Sequence, residues 1–325
     1  MLLHSLDQSL GIMYGMNCQN IQKKERGLEM IVNIVRGLFV AFAAFFGIIF
    51  GKDVAKANKE GRMEQDISFG KSVATGFVTD FGDTLGIGSF APTVAMFKFL
   101  KIKVPDRLIP GTLNVCHTIP VLLEAFIFTA VIKVDPLTLT VLIASAVVGS
   151  YIGAGIIAKL DEKKVQLIMG IALAVTAIIM LLSHPWVDMM PGGGTATGLT
   201  GVKLVIGAVG NFILGALMTA GIGLYGPCMA LVYFLGMSPD VAFPIMMGSC
   251  AMLMPVASSK FIKEEAYSKK ASLGIALGGI VGVIVAIKFF QGLPMEILKL
   301  LVVAVIAYTA VTMLMSATKK KAEVQ

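Results

Sequence analysis

Long apolar runs separated by short polar clusters set the rhythm of this chain. Runs at residues 31–50, 110–131, 137–158, 165–183, 241–259, 271–288 and 296–316 have the length of a membrane crossing, for which about 20 residues of helix span about 30 Å of hydrocarbon. Two further stretches, 72–99 and 203–236, are too long for one crossing, and glycines interrupt each near its middle. The interruptions read Leu85-Gly86-Ile87-Gly88-Ser89-Phe90-Ala91-Pro92 and Ala220-Gly221-Ile222-Gly223-Leu224-Tyr225-Gly226-Pro227. The pattern predicts pairs of half-helices meeting at a non-helical elbow, within an all-α polytopic membrane protein.

The two elbows also define a repeat. Gly86, Gly88 and Pro92 match Gly221, Gly223 and Pro227, and Leu100 matches Leu235, each pair 135 residues apart. Gly149 and Gly153 face Gly278 and Gly282 near the repeat ends. A duplication of this size is a specific signal. It divides the chain into an N-terminal segment 1–71 with one helix at 31–50, a first repeat 72–183 and a linker 184–202. A second repeat 203–316 and a tail 317–325 complete it. The first thirty residues read as polar and irregular, with a basic cluster at Lys23, Lys24 and Arg26.

Composition agrees. Apolar residues make up 56% of the 325 and charged ones 14%, whereas a soluble chain carries roughly a quarter charged. The net charge of +7 sits in short loops, so it bears on orientation in the bilayer and not on nucleic acid. If each hairpin returns to the side it left, Lys52, Lys56, Lys59, Arg62 and Lys71 share one face with Lys98 to Arg107, Lys159 to Lys164, Lys260 to Lys270 and Lys319 to Lys321. The opposite inter-span loops then hold Lys133, Lys203 and Lys288. The positive-inside rule makes the first face cytoplasmic. This predicts antiparallel repeats, a cytoplasmic C-terminus and a multi-pass protein of the cell membrane. The four cysteines are scattered without metal-type spacing and read as small buried hydrophobes. No HExxH helix or nucleophile–base motif is present, so neither an enzyme nor a metal or cofactor site is expected.

A helix that begins in mid-membrane leaves its first N–H groups unpartnered at the positive end of its dipole, which suits an anion. Broken helices at equivalent places in two repeats mark the substrate site of many secondary transporters. The expected binding residues are Thr84, Gly86, Gly88, Ser89 and Pro92 with Gly221, Gly223, Tyr225, Gly226 and Pro227; Thr219 adds a hydroxyl. Proline fits the first turn of each second half-helix. The structural alternative is that the glycines serve only close helix packing. Asp80 and Asp83 lie three apart on the helix entering the first elbow. Asn114, His117 and Glu124 form one polar stripe on the next span. Ionisable groups inside a span are costly and tend to face a cavity or one another, so these five are candidates for proton coupling. The alternative makes the aspartates an elbow cap and His117 a core histidine.

On these elbows the chain resembles the TauE/SafE sulfite exporter family. Gly86-Ile87-Gly88-Ser89-Phe90-Ala91-Pro92 is similar to the family's glycine-rich element ahead of a proline, and Gly221-Ile222-Gly223-Leu224-Tyr225-Gly226-Pro227 is its second copy. Pro110-Gly111-Thr112 and the small-residue run from Gly149 to Gly155 are similar to further family features. Ser89 and Phe90, then Leu224 and Tyr225, stand where family members usually carry further glycines. The resemblance implies export of sulfite, sulfonates or related small anions coupled to protons. Its partners would be the anion, protons and the bilayer, with a homodimer also compatible. An anion channel, or a cation/proton antiporter using Asp80 and Asp83, is the alternative.

Overall fold

The computed structural model describes residues 18–157, 162–182, 184–187, 189, 194–218 and 224–318. Thr219 to Gly223, Lys159 and the basic tail Lys319 to Lys321 therefore lie outside the described residues. Helix α1 (Cys18–Lys59) precedes a first set comprising α2 (Phe69–Thr84), α3 (Phe90–Leu100), α4 (Ile109–Val131), α5 (Pro136–Ile157) and α6 (Glu162–Leu182). The second set is α7 (Gly201–Met218), α8 (Tyr225–Phe234), α9 (Ala242–Lys263), α10 (Lys269–Gln291) and α11 (Met295–Thr318). Among the described residues there is no strand, only an isolated bridge between Ala196 and Met237.

Among the described residues six segments are long and apolar enough to cross a membrane: Glu29–Lys59, Ile109–Val131, Gly201–Met218, Pro239–Lys263, Lys269–Phe290 and Glu296–Thr318. The expected runs 137–158 and 165–183 contribute shorter apolar stretches, Pro136–Ile152 and Gln166–Leu182. The expectation of an irregular N-terminal segment is corrected for residues 18–30, while residues 1–17 lie outside the described residues. Helix runs unbroken from Cys18, carrying Lys23, Lys24 and Arg26 as the lead-in to the first crossing. Gln, Lys, Glu, Arg, Leu and Met are good helix formers, and nothing between Cys18 and Met30 stops a helix.

The helices pair in a pattern that survives exchange of the two sets. α2 packs along α10, and α7 along α5; α4 packs against α9, and α6 against α11. Small residues make the closest seams. A methyl group at Gly278 would lie 2.0 Å from the Val73 carbonyl oxygen, and one at Gly149 would lie 2.0 Å from that of Phe212. Gly76 and Gly215 approach backbone across the same two seams. Each set also carries a proline inside its third helix, Pro120 in α4 and Pro255 in α9. Proline removes one helical hydrogen bond and frees the carbonyl four residues earlier.

Both hairpins close in the same way. Lys71 Nζ donates to the Leu100 carbonyl at 2.9 Å, and Lys203 Nζ donates to the Leu235 carbonyl at 3.1 Å. In each case a lysine early in the first half-helix caps the C-terminal end of the second, where a cation opposes the negative dipole end. Beyond the bilayer crossing, α1 is tied to the start of α10. The Glu64 carboxylate accepts from the backbone N–H groups of Lys269 and Lys270 at 2.9 Å each. Tyr267 donates to Asp53, which also lies 3.3 Å from Lys269 Nζ. Burial, then the hydrogen bond to Asp53, pushes the Tyr267 phenol well above the usual tyrosine range.

Candidate functional site

At the first elbow the chain turns between α2 and α3 through Gly86 (φ +95°) and Gly88 (φ +85°). Only glycine enters that region without a Cβ penalty. A cavity of about 680 Å³ opens here, and both hairpins wall it. Gly88, Ser89, Phe90 and Ala91 come from the first, and Met218, Leu224, Tyr225 and Gly226 from the second. Helices α4, α6, α9 and α11 complete the wall.

The start of each second half-helix faces this space. The first helical donor of α3 with a partner is Thr93, bonded to the Ser89 carbonyl at 2.9 Å; in α8 the Cys228 N–H bonds to the Leu224 carbonyl at 2.9 Å. The third residue of each helix is a proline, Pro92 or Pro227, which has no N–H. The N–H groups of Phe90 and Ala91 thus precede the first helical bond of α3; both residues line the cavity, as do Tyr225 and Gly226 at the start of α8. Among the described residues the wall contains no lysine or arginine, and its one acidic side chain is Asp83. Tyr225 OH lies 3.4 Å from Asp83 Oδ2, a long hydrogen bond joining the two hairpins across the cavity wall.

Behind Asp83 lies a sealed polar cluster. Asp80, His117 and Glu124 are fully buried. His117 Nδ1 is 2.7 Å from Asp80 Oδ1, and its Nε2 is 2.9 Å from Thr93 Oγ1 on α3. Glu124 Oε1 is 2.7 Å from Thr84 Oγ1. Asp80 Oδ2 and Glu124 Oε2 have no hydrogen-bond partner. Among the described residues no group of three or more His, Cys, Asp or Glu side chains is arranged to hold a metal ion.

The structure sorts the sequence candidates. Gly88, Ser89, Tyr225, Gly226, Asp83 and Asn114 line the cavity. Gly86 does not: a methyl group there would meet Met229 Cε of α8 at 2.3 Å, so it lets the two hairpins approach. Thr84 faces Glu124 instead, while Pro92 and Pro227 shape the helix starts without lining the cavity. Gly221 and Gly223 lie outside the described residues, as does Thr219. The stripe on α4 needs one correction. Asn114 does not join His117 and Glu124, because its amide donates to the Pro110 carbonyl of its own helix at 2.9 Å. Cys116, Cys228 and Cys250 are buried and free, as small hydrophobes would be.

Sequence reasoning missed Thr309 and Thr312 on α11, which also line the cavity. Two hydroxyls three apart in an apolar span were the available signal. It also missed Arg36, whose guanidinium lies 4.3 Å from the centre of the Phe126 ring in a cation–π contact.

The family model described as Sulfite exporter TauE/SafE matches residues 27–180, which takes in most of α1 and nearly all of the first set. No curated protein and no solved structure matches the chain.

Proposed function

From the match of residues 27–180 to the sulfite exporter TauE/SafE family, a family of membrane transporters, we propose that this integral membrane protein is a secondary transporter of a small anion. The anion binds in the cavity between the hairpins, and the carrier exports sulfite, a sulfonate or a related oxyanion alongside a proton. One observation carries the reading: two half-helix N-termini from different parts of the chain open into the same cavity. The Phe90 and Ala91 N–H groups and the two positive dipole ends would hold an oxyanion without a buried cation. Neutral donors also allow release, which a buried arginine opposes.

Asp83 is the coupling group on this reading. A carboxylate in the wall repels an anion, and the same carboxyl once protonated becomes a donor. Anion occupancy and a proton on Asp83 therefore favour one another. The antiparallel repeat, the cytoplasmic C-terminus and alternating access around the two elbows belong to the same proposal. The self-matching helix pairs support the repeat, and the placement of basic residues in the loops supports the orientation.

The test is flux in proteoliposomes with a panel of oxyanions, with and without an imposed pH gradient. Asp83→Asn should abolish gradient-driven accumulation and leave downhill exchange. Unchanged accumulation in that variant would remove Asp83 from the coupling. A single carboxylate and no lysine or arginine among the described wall residues favour a second reading, cation/proton exchange. Cation flux without anion flux in the same panel would select it.

A further inference from the structure

The hydroxyl of Thr84 decides the protonation of Glu124. Its Oγ1 lies 2.7 Å from two oxygens, the backbone carbonyl of Asp80 and Oε1 of Glu124. A threonine hydroxyl has one hydrogen to give. The carbonyl can only accept, and donation to the carbonyl four residues back is the ordinary behaviour of threonine in a helix. If the hydrogen goes there, the other short contact needs a hydrogen from Glu124. The opposite assignment sets two lone-pair oxygens 2.7 Å apart. It also leaves an ionised, fully buried Glu124 with one oxygen unpartnered, a costly state away from water.

We infer that Glu124 is a neutral carboxylic acid whose O–H pins the end of α2 through Thr84, making it a positioning residue for the anion site and not the carrier of the transported proton. The string runs Glu124 O–H to Thr84 Oγ1, then Thr84 O–H to the Asp80 carbonyl. Thr84 is the last residue of α2, directly after Asp83 and two residues before Gly86. Fixing Thr84 fixes the direction in which Asp83 and the first elbow meet the cavity. Glu124 does not line that cavity, so its proton is shielded from the site where anion and proton would exchange.

The surrounding groups agree with a neutral acid. Those in electrostatic reach are Asp80 and Asp83 from α2, His117 from its own helix α4, Tyr225 from α8 and Cys250 from α9. Two of the five are carboxyls and one is an imidazole already paired with Asp80. A third carboxylate would find no free cation among them. Ionising Glu124 at high pH removes the donor, releases Thr84 and loosens the elbow.

The role as a positioning residue rests on the anion-site reading; the protonation does not. Infrared difference spectra of purified wild type against Glu124→Gln at neutral pH read the protonation directly. A carboxylic-acid carbonyl band that shifts in deuterium oxide and is missing from the variant is expected. Its absence from the difference spectrum overturns the inference. Thr84→Val should keep the band and move it to higher frequency, because the acid O–H then lacks an acceptor; an unmoved band refutes the contact.

The role is read by sulfite and methanesulfonate binding. Glu124→Gln keeps a donor toward Thr84, so affinity and gradient-driven uptake should stay within about twofold of wild type. Glu124→Leu, which has none, should lose about 5- to 10-fold in affinity, the worth of one hydrogen bond. Wild-type affinity should fall at alkaline pH where that of Glu124→Gln does not. Loss of gradient-driven uptake in Glu124→Gln would instead make Glu124 the coupling residue and overturn the positioning role. If neither anion binds wild type, the anion-site reading fails and the infrared result still stands.

Discussion

Valine at Gly88 and valine at Gly278 should produce opposite phenotypes, although the chemical change is the same. A Cβ at Gly88 meets nothing within 4 Å and points into open space, yet the backbone there has φ +85°. The cost is conformational: about 1–2 kcal/mol for an L-residue in the left-handed region, somewhat more for a β-branched one. A domain stable by about 5–15 kcal/mol tolerates that loss. The isopropyl group and the shifted elbow fall where Phe90 and Ala91 present their N–H groups, so anion affinity should drop at least tenfold while the protein remains monodisperse. At Gly278 the first added carbon would lie 2.0 Å from the Val73 carbonyl oxygen, far inside ordinary contact. Neither backbone can yield without parting α2 from α10. That places the cost at or above the ~3 kcal/mol top of the usual overpacking range. Gly278→Val should therefore lower the melting temperature sharply or fail to purify. Thermal melting in detergent and sulfite or methanesulfonate affinity on the same preparations read both effects. Normal affinity in Gly88→Val would reduce the elbow to a packing device; a Gly278→Val protein as stable as wild type would refute the seam.

Two further predictions use the polar ends of the helices. Tyr267 has a raised pKa, so its contribution to stability is complete below the unfolded value of about 10 and declines as pH rises above it; the stability difference between wild type and Tyr267→Phe should shrink above that pH, and a constant or growing difference would contradict the burial of the phenol. Cysteines at Thr195 and Glu264, both exposed, should label from opposite sides of a sealed membrane with an impermeant reagent in a background without native cysteines, and same-side labelling would refute the antiparallel repeat.

The first elbow was legible in the sequence because a glycine cluster is a local signal. Gly86 and Gly88 adopt the positive φ values for which glycine is suited. Hydropathy could not see the first three turns of α1, since the residues from Cys18 to Met30 are helix-forming but not apolar. The lysine caps escaped for a different reason. Lys71 and Lys203 read as orientation charges, and only the folded hairpins bring them to the carbonyls of Leu100 and Leu235. The stripe of Asn114, His117 and Glu124 was right as helical geometry and incomplete as chemistry. Ten residues of helix separate its ends by about 15 Å, so sharing a face did not place Asn114 in the cluster. The hydrogen count at Thr84 depends on a contact between α2 and α4 that no spacing encodes.

The helix pairing survives exchange of the two sets, but among the described residues the acid cluster stands in one set only, and the packing gives a reason. Asp80 on α2 corresponds to Gly215 on α7. In the seam of α5 with α7 the small residue is Gly215 itself, where a methyl group would lie 2.1 Å from the Ala146 carbonyl oxygen. A carboxylate has no room there. In the seam of α2 with α10 the small residue opposite Asp80 is on the partner helix: a methyl group at Gly279 would lie 2.3 Å from Asp80 Oδ2. Moving the glycine across the seam opens space for one carboxyl without separating the helices. His117 then reaches Asp80 from α4 and Thr93 from α3, so the acid on the first half-helix is linked to the second. The seam of α5 with α7, closed by Gly215, leaves its hairpin to supply Tyr225 and backbone donors instead. Which helix of a seam carries the glycine thus decides which hairpin can hold the acid.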